Sequence, residues 1–296
     1  MLSILIPIYN YNAYPLVQEL QKQCTECEID FEILCQDDSS SEFFQDNQKI
    51  SFIEKAQFQS NNSNLGRGKN INILSKKAQF DYLLILDCDT FPKDHCFIKK
   101  YLEIIQIEKP KIVFGGIVYK AGKPKKEQLL RWVYGNKREA ISVEKRSENP
   151  NKSALTSNLL IKATVITKYP FDDVITKYGY EDLCFLSVLE SNGIFVKHID
   201  NPTYHLNLET SLQFLSKTKI ALENLAFLVD SKKITEQNSR LFLSYETLRK
   251  FKLTALFRFL YLKTESKITT NLLSQKPSLF LFDLYKLGYF CTIKSV

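Results

Sequence analysis

The segment 82–92 constrains the fold of this chain more than any other. Residues Tyr82–Leu86 form a continuous apolar run, which is typical of a parallel strand that is covered on both faces. The run stops at Asp87-Cys88-Asp89, so two carboxylates follow the carboxyl end of the predicted strand, where open α/β sheets hold their ligands. Carboxylate oxygens suit Mg²⁺ or Mn²⁺. The alternative is that both aspartates cap the turn after the strand.

Strand-like and helix-like stretches alternate up to Glu209, as in a sheet built from βα repeats. Beyond Glu209 the strand signals fade and helical periodicity takes over. We therefore predict an α/β domain at 1–209 and a basic helical segment at 210–296. The predicted strands are 2–8, 31–35, 51–53, 82–86, 111–119, 157–161 and 193–198, and the predicted helices are 14–22, 68–77, 95–107 and 181–191.

Composition restricts the class of protein. The 296 residues are 44% hydrophobic and 25% charged, as in ordinary globular proteins, and no apolar run reaches the length of a membrane span. Seven cysteines, an odd number, indicate a reducing, cytoplasmic compartment and not a disulfide framework. The first residues lack the basic region and cleavage site of a signal peptide, so we expect them to form a strand.

The positive charge is concentrated near the C-terminus. Residues 211–296 carry a net charge of +8, whereas residues 1–210 carry −1. The segment is interpreted as a solvated appendage, a dimerisation surface, or a patch that binds anionic lipid on the inner face of the cell membrane. No nucleic-acid partner is expected, because no binding motif is present. An apolar stripe, Tyr245, Leu248, Phe251, Ala255, Phe259 and Leu262, runs beside the cations Arg249, Lys250, Lys252, Arg258 and Lys263.

Two other segments are suited to bind an anionic ligand near the first. The predicted strand 31–35 runs into Asp37-Asp38-Ser39, and the glycine-rich loop 64–70 carries Arg67 and leads into a helix. Backbone N–H groups at such a loop and helix start bind anions.

In this order, residues 4–10, Asp37-Asp38-Ser39, the loop 64–70 and Asp87-Cys88-Asp89 resemble the family 2 glycosyltransferases, which have the GT-A fold. Residues 178–182, Tyr-Gly-Tyr-Glu-Asp, are similar to the Glu-Asp element of galactosyltransferase-type C-terminal domains, although Tyr178 stands where a Trp is common. The resemblance extends over residues 1–210. It implies a Rossmann-like, mixed and mainly parallel sheet flanked by helices, followed by a C-terminal helical segment.

The resemblance also implies which residues bind the nucleotide of a UDP-sugar. Asp38 would accept a hydrogen bond from the uracil, and Arg67 would contact the base or a phosphate. Pro7 and Tyr9 would shape the floor of the nucleotide site. These four residues are therefore expected to bind the donor.

A divalent cation, Mn²⁺ or Mg²⁺, is expected at the Asp-Cys-Asp turn. By the same resemblance, Asp89 would ligate it directly, and Asp87 would contact the ribose or the water shell of the metal. His205 is a candidate third ligand, since imidazole suits Mn²⁺. The alternative for His205 is a satisfied position among apolar neighbours. His95 and His198 belong to no motif, and structural roles are expected for both.

Asp182 is the candidate general base, and Glu181 is the candidate residue for positioning the acceptor. Both would lie at the start of a helix, which favours an ionised carboxylate. The alternative is that they are first-turn acidic residues of a solvated helix. Trp132 and Tyr134 are read either as a platform for a sugar or as packing anchors, and Asn158 as a sugar contact or a polar strand end.

Together these expectations describe an inverting, metal-dependent glycosyltransferase. It would move a hexose or N-acetylhexosamine from a UDP-sugar to a glycan or lipid-linked saccharide, in polysaccharide assembly. The alternatives are a nucleotidyltransferase that makes nucleotide-sugars and a non-catalytic saccharide-binding or assembly protein.

Overall fold

The computed structural model describes residues 1–294. Its chain forms two compact units. The first comprises Met1–Tyr119, Glu139–Thr176 and Phe185–Asn207, and the second comprises Lys120–Arg138, Lys177–Cys184 and the residues from Leu208 onward. The predicted boundary at residue 209 lies close to the last of these junctions, but two earlier segments also belong to the second unit. The division into domains stays a prediction.

The first unit contains a seven-stranded sheet with the order β3-β2-β1-β4-β8-β6-β9 and a three-stranded sheet with the order β5-β10-β7. Strands β1 to β4 are mutually parallel where they pair, whereas β8 runs antiparallel to both β4 and β6. The predicted α/β class with a mainly parallel sheet is confirmed. The strands are β1 (Leu2–Ile8), β2 (Phe31–Asp37), β3 (Ala56–Ser60), β4 (Tyr82–Leu86), β5 (Thr90–Pro92), β6 (Ile112–Phe114), β7 (Ile117–Val118), β8 (Asn158–Lys162), β9 (Lys197–His198) and β10 (Thr203–His205).

The helices flank the larger sheet in the first unit and make up most of the second. They are α1 (Tyr14–Glu26), α2 (Phe44–Gln48), α3 (Arg67–Lys77), α4 (Phe97–Glu108), α5 (Leu129–Tyr134), α6 (Val143–Ser147), α7 (Ala163–Lys168), α8 (Glu181–Ser191), α9 (Ser211–Asp230), α10 (Arg240–Lys250), α11 (Thr254–Leu272) and α12 (Leu279–Ile293). Among residues 1–294, no helix combines the length and the apolar character that a membrane crossing requires.

Strand β1 is buried on both faces, as its apolar sequence predicts. Ile4 and Ile6 join the apolar cluster that includes α1 and α4. Leu5 joins the opposite cluster, which includes α3 and α7. Successive strand side chains point to opposite faces of a sheet, so one strand supplies both cores. Its carboxyl end is thereby held in a fixed position beside β4.

Three of the predicted strands differ from the observed ones. Residues Lys49–Phe52 form a 3₁₀ turn, and the strand follows at Ala56–Ser60, so the prediction at 51–53 is wrong. The predicted strand 111–119 is divided because Gly116 adopts a φ of +101°, a conformation that interrupts an extended strand. Of the predicted strand 193–198, only Lys197–His198 pairs in the sheet.

The second unit is helical, as expected for the C-terminal segment. Helices α11 and α12 pack closely, because a Cβ at Gly288 would lie 2.3 Å from the ring of Tyr261. Tyr134 packs against Phe214 and Phe282 with ring centroids 5.3 and 5.6 Å apart. Tyr134 is therefore a packing anchor of this unit.

Candidate functional site

The Asp-Cys-Asp turn lies at the carboxyl end of β4, as predicted. The backbone N–H of Asp87 donates to the Ser157 carbonyl (3.1 Å), and the N–H of Thr90 donates to the Asp87 carbonyl (3.1 Å). These bonds fix the turn to β8 and to the start of β5. Burial raises the pKa of the Cys88 thiol well above its ordinary value, so Cys88 is a neutral filler between two carboxylates.

Arg67 binds Asp87 and is the first residue of α3. Its Nε and Nη2 both donate to Oδ1 of Asp87, at 2.8 and 2.6 Å, and its Nη1 donates to Oγ1 of Thr156 at 2.7 Å. The planar guanidinium is thus oriented on two sides. Both members of the ion pair are partly accessible, with side chains 23% and 29% exposed. The Gly-rich loop and the Asp-Cys-Asp turn are therefore neighbours, as predicted from their order.

Thr156 was not identified by the sequence analysis. It precedes β8, which pairs antiparallel to β4 so that Asn158 lies opposite Leu86. The amino end of β8 therefore meets the carboxyl end of β4. A prediction that β8 is antiparallel would have placed Thr156 at this edge.

Asp38 stabilises the glycine-rich loop. Its Oδ1 accepts hydrogen bonds from the Leu65 N–H (2.9 Å) and Asn61 Nδ2 (2.8 Å), and its Oδ2 accepts from the Gly66 N–H (2.9 Å). Gly66 has a φ of +86° immediately before α3. An ionised carboxylate has about four acceptor positions, so a hydrogen bond from a nucleobase would be additional to these three. The predicted contact with uracil stays a prediction.

His205 and Asp89 lie side by side. His205 Nε2 is 3.6 Å from Asp89 Oδ2, and the side chains are only 15% and 20% exposed. The antiparallel pairing of β10 with β5 sets His205 opposite Thr90, and the Leu206 N–H donates to the Asp89 carbonyl at 2.9 Å. The Tyr119 ring stacks on His205 with centroids 5.5 Å apart, and its hydroxyl donates to Glu139.

This pair fits a divalent cation. One carboxylate oxygen and one imidazole nitrogen form a donor set that suits Mn²⁺. Two ligands at right angles on an ion with bonds of about 2.1 Å lie about 3 Å apart, so a small side-chain movement would let both bind one ion. Asp87 Oδ1 accepts two hydrogen bonds from Arg67, so a direct bond from this oxygen to a cation would compete with them. Direct ligation by Asp89 and His205, with Asp87 in a more peripheral position, stays a prediction.

A second group of ligand atoms lies at the start of α4. Atoms of Asp94, His95 and Cys96 lie within 4.8 Å of one another. Asp94 Oδ1 accepts from the Cys96 N–H (3.0 Å), and Oδ2 accepts from Lys100 (3.0 Å). These bonds hold the Asp94 carboxylate within the turn that precedes α4.

Tyr11 and Tyr9 lie beyond the carboxyl end of β1. Burial raises the pKa of Tyr11, and the negative charge of Asp89 raises it further, which indicates that Tyr11 is near the proposed metal ligands. No sequence motif marks Tyr11 as a site residue. Tyr9 is 53% exposed, whereas Pro7 is buried within β1 opposite Gln36 of β2. Their contact with a nucleotide stays a prediction.

A buried polar junction holds β10 in position. Asn158 Nδ2 donates to the Gly116 and Asn201 carbonyls, both at 2.9 Å, and Asn158 Oδ1 accepts from the Tyr101 hydroxyl at 2.7 Å. Asn158 is fully buried, which favours the alternative of a polar strand end over a contact with a sugar. A Cβ at Gly115 would lie 2.4 Å from the Asn201 carbonyl oxygen. Because these contacts are close, the chain can follow only one path from the junction to His205.

Glu181 and Asp182 occupy the first turn of α8, within the second unit. The preceding turn contains Gly179, with a φ of +95°, and a Cβ at this position would lie 2.6 Å from the Cβ of Ala221. Asn224 Nδ2 donates to the Gly179 carbonyl. The start of α8 is therefore fixed against α9, with both carboxylates at the positive end of a helix dipole.

Two further aromatic residues, Tyr178 and Trp132, have identifiable contacts within the second unit. Lys217 Nζ lies 5.4 Å from the ring centroid of Tyr178, a distance typical of a cation–π contact. Trp132 Nε1 donates to the Lys120 carbonyl at 3.0 Å. A role of Trp132 as a sugar platform stays a prediction.

Comparisons with known proteins identify the family and the fold of this chain. The model of the family described as Glycosyl transferase family 2 matches residues 3–165, more than half of the chain. No curated protein sequence matches the chain.

Several solved structures are similar to the chain. A mannosyltransferase from Pyrobaculum calidifontis, in complex with GDP-Man and Mn²⁺, has a TM-score of 0.54 and 13% identity over 77% of this chain and 64% of that one. A mannosyl-3-phosphoglycerate synthase from Rubrobacter xylanophilus has a TM-score of 0.54 and 14% identity over 79% of this chain and 76% of that one. S. aureus TarS 1–349 has a TM-score of 0.48 and 16% identity over 75% of this chain and 64% of that one.

The matched regions span less than two thirds of the TarS and mannosyltransferase chains, at 64% of each. At such low identities the structural likeness supports the fold alone, and the family rests on the sequence match. The fold is GT-A, with the mainly parallel sheet and the helical C-terminal part described above. The chain belongs to glycosyl transferase family 2.

Proposed function

We propose that this glycosyltransferase is an inverting, metal-dependent enzyme that transfers a hexose or N-acetylhexosamine from a UDP-sugar. The acceptor is a glycan or lipid-linked saccharide used in polysaccharide assembly in the cytoplasm. The observation that carries the metal-dependent part is the distance of 3.6 Å between His205 Nε2 and Asp89 Oδ2. These two side chains join segments of the first unit that are far apart in sequence.

The nucleotide is held at the carboxyl ends of β1, β2 and β4. Arg67 contacts the base or a phosphate, and its guanidinium is oriented by Asp87 and Thr156. Asp38 accepts a hydrogen bond from the base in addition to those that it accepts from the loop. Pro7 and Tyr9 form the floor of the site.

Asp89 and His205 would hold the cation directly, and Asp87 would contact its water shell or the ribose. When bound, the cation neutralises the charge that develops on the leaving diphosphate. The mannosyltransferase of similar fold is described with GDP-Man and Mn²⁺. That description supports Mn²⁺ here and makes a GDP-sugar the principal competing donor.

Asp182 removes the proton from the acceptor hydroxyl as that oxygen attacks the anomeric carbon. The bond between this carbon and the diphosphate oxygen breaks on the opposite side, so the anomeric configuration inverts. Glu181 accepts hydrogen bonds from other acceptor hydroxyls and orients the attacking one. The helix dipole at the start of α8 favours the ionised state that a general base requires.

Family membership disfavours the two alternative classes. A nucleotidyltransferase would form a nucleotide-sugar and release pyrophosphate, whereas a glycosyltransferase releases a nucleoside diphosphate. A non-catalytic saccharide-binding protein would release neither.

A donor panel tests the proposal. The protein would be incubated with UDP-glucose, UDP-galactose, UDP-N-acetylglucosamine or GDP-mannose, a mixture of saccharide acceptors, and Mn²⁺ with or without EDTA. We expect UDP release from one UDP-sugar, loss of release in EDTA, recovery with excess Mn²⁺, and an inverted product by NMR. Release of GDP alone would overturn the donor, full activity in EDTA would overturn the metal, and a retained configuration would overturn the role of Asp182.

A further inference from the structure

The turn between α10 and α11 and the first half of α11 expose large apolar side chains to solvent. Phe251 is 72% exposed and Phe259 is 56% exposed. A soluble surface seldom presents contiguous apolar side chains of this size unless they meet a partner. The residues concerned, termed the α10–α11 patch below, are Phe251, Leu253, Leu256, Phe259, Leu260 and Leu262.

The patch is not the packing face of α11. That helix packs through Tyr261, Ile268 and Leu272, which are buried in the apolar cluster of the second unit. In the second half of α11 the exposed positions are polar, for example Ser266, Lys267 and Thr270. Only the first half exposes apolar side chains on the side away from the core. The exposed apolar surface is therefore localised at one end of the helix.

Positive charge surrounds the patch. The segment 249–263 contains five cations, Arg249, Lys250, Lys252, Arg258 and Lys263, and no carboxylate. Two of the five have acidic partners on α10 or before it: Arg249 pairs with Glu246 at 2.5 Å, and Lys250 pairs with Glu236 at 3.6 Å. The local charge is positive all the same, because three further cations lie within the segment.

We propose that the α10–α11 patch binds an anionic lipid bilayer. Phe251 and Phe259 would enter the boundary between headgroups and acyl chains, which interfacial helices penetrate by about 5–10 Å. Lys252 and Arg258 would contact anionic headgroups, each of which attracts a nearby cation. The patch covers the turn before α11 and about two turns of that helix, so only the first end of α11 would enter the membrane.

A second copy of the chain fits the patch less well. A two-fold symmetric contact would place the same surface on both sides of the interface. Five cations would then face five cations, and like charges at close range disfavour association. The charge of the patch is instead complementary to an anionic membrane surface. This inference does not depend on the proposed transfer reaction, although it would place the enzyme where a lipid-linked acceptor lies.

Vesicle binding by the full chain tests the inference. Phosphatidylcholine vesicles with and without phosphatidylglycerol would be sedimented with the protein, in the absence of any donor. We expect binding only with phosphatidylglycerol, and weaker binding as salt is raised. The double variant Phe251→Ser/Phe259→Ser should lower the partition coefficient at least about tenfold, and Lys252→Gln/Arg258→Gln about thirtyfold.

The matched control is Phe280→Ser. Phe280 is 69% exposed and lies in the first turn of α12, after the opposite end of α11, so vesicle binding should not change. Unaltered melting temperatures would show that the variants fold. Equal binding to neutral and anionic vesicles, or unchanged binding by both double variants, would overturn the inference. A second result would also overturn the inference. In that case sedimentation velocity would show that the wild type is a dimer and that Phe251→Ser/Phe259→Ser is a monomer, and neither form would bind vesicles. Because no donor is present, each of these outcomes is independent of the transfer reaction.

Discussion

His205 Nε2 lies 3.6 Å from Asp89 Oδ2, a separation too long for a hydrogen bond and suitable for two ligands of one cation. We expect Asp89→Asn and His205→Gln each to weaken Mn²⁺ binding and to lower the rate of UDP release by about 100-fold, since a metal supplies several kcal/mol of charge stabilisation. Calorimetry with Mn²⁺ and initial rates would measure the two effects. His95→Gln, at an exposed position, is the control. Unchanged Mn²⁺ affinity in His205→Gln would remove His205 from the site.

The hydrogen bonds that the Arg67 guanidinium donates to Asp87 and Thr156 predict that lysine cannot replace it. Lysine cannot reproduce the planar fork, and charge-assisted bonds contribute about 1.5–3 kcal/mol, so Arg67→Lys should raise the KM for the donor about tenfold or more. Thr156→Val should have a smaller effect, because it removes only the hydroxyl that accepts from Nη1. Thr156→Ser keeps this hydroxyl and serves as the control. Equal kinetics for Thr156→Val and Thr156→Ser would contradict the interpretation.

Asp182→Asn should separate donor binding from transfer. Asparagine is close in shape but cannot accept the proton, so we expect unchanged UDP affinity and a rate about 10²–10⁴-fold lower. Glu181→Gln should instead raise the KM for the acceptor. Glu190→Gln, in the last turn of the same helix, should leave both constants as they are. Transfer at the wild-type rate by Asp182→Asn would exclude this residue as the base.

Two glycines with positive φ should differ in their tolerance of alanine. Gly193 has a φ of +68° with nothing within 4 Å of an added Cβ, so Gly193→Ala should cost only the backbone strain of about 1–2 kcal/mol. Gly179→Ala adds an overlap with Ala221 at 2.6 Å and should cost about 1–3 kcal/mol more. Urea denaturation of both variants measures the difference. Equal costs would mean that the turn before α8 can move away from α9.

The stability of the protein should decrease in mild acid through His198. Burial lowers the pKa of His198 below 6.5, and the positive charge of Arg146 lowers it further, against a raising effect of the Pro150 carbonyl. Below about pH 6.5 the unfolded chain therefore binds this proton before the folded chain does. The free energy of unfolding then falls as the pH falls toward the folded-state pKa.

Denaturant unfolding between about pH 7 and pH 5 measures this decrease. It should be smaller in His198→Gln, which keeps a donor for the Pro150 carbonyl. His95→Gln, at an exposed position, should keep the wild-type decrease. An equal decrease in His198→Gln and wild type would assign the pH dependence to other groups.

The elements that were predicted well are those whose structure depends on the local sequence alone. Strands β1 and β4 have the predicted bounds, because continuous apolar runs of this length fit a strand buried on both faces. The proximity of Arg67 and Asp87 followed from parallel strands that end at one edge. The α/β class and the C-terminal helices followed from the periodicity of the sequence, whereas the mixed sheet was implied by the family resemblance.

The features that sequence patterns missed depend on contacts between distant segments. Thr156 reaches the site only because β8 is antiparallel to β4, and no local pattern distinguishes the two directions. Asn158 resembles a ligand-binding residue in sequence, yet its amide is used within the buried junction. The exposure of Phe251 and Phe259 was not predicted either, because their spacing resembles that of a packed helix face.

The three-residue pairing of β5 with β10 also bears on the order in which the protein matures. Asp89 leaves the ribosome long before His205, and proteins fold progressively from the N-terminal part during synthesis. A nascent chain that has formed β1 to β4 already possesses the carboxyl edge of these strands but lacks the imidazole opposite Thr90. The protein would thus become able to bind a cation late in its synthesis, in a step that is separate from the folding of the main sheet.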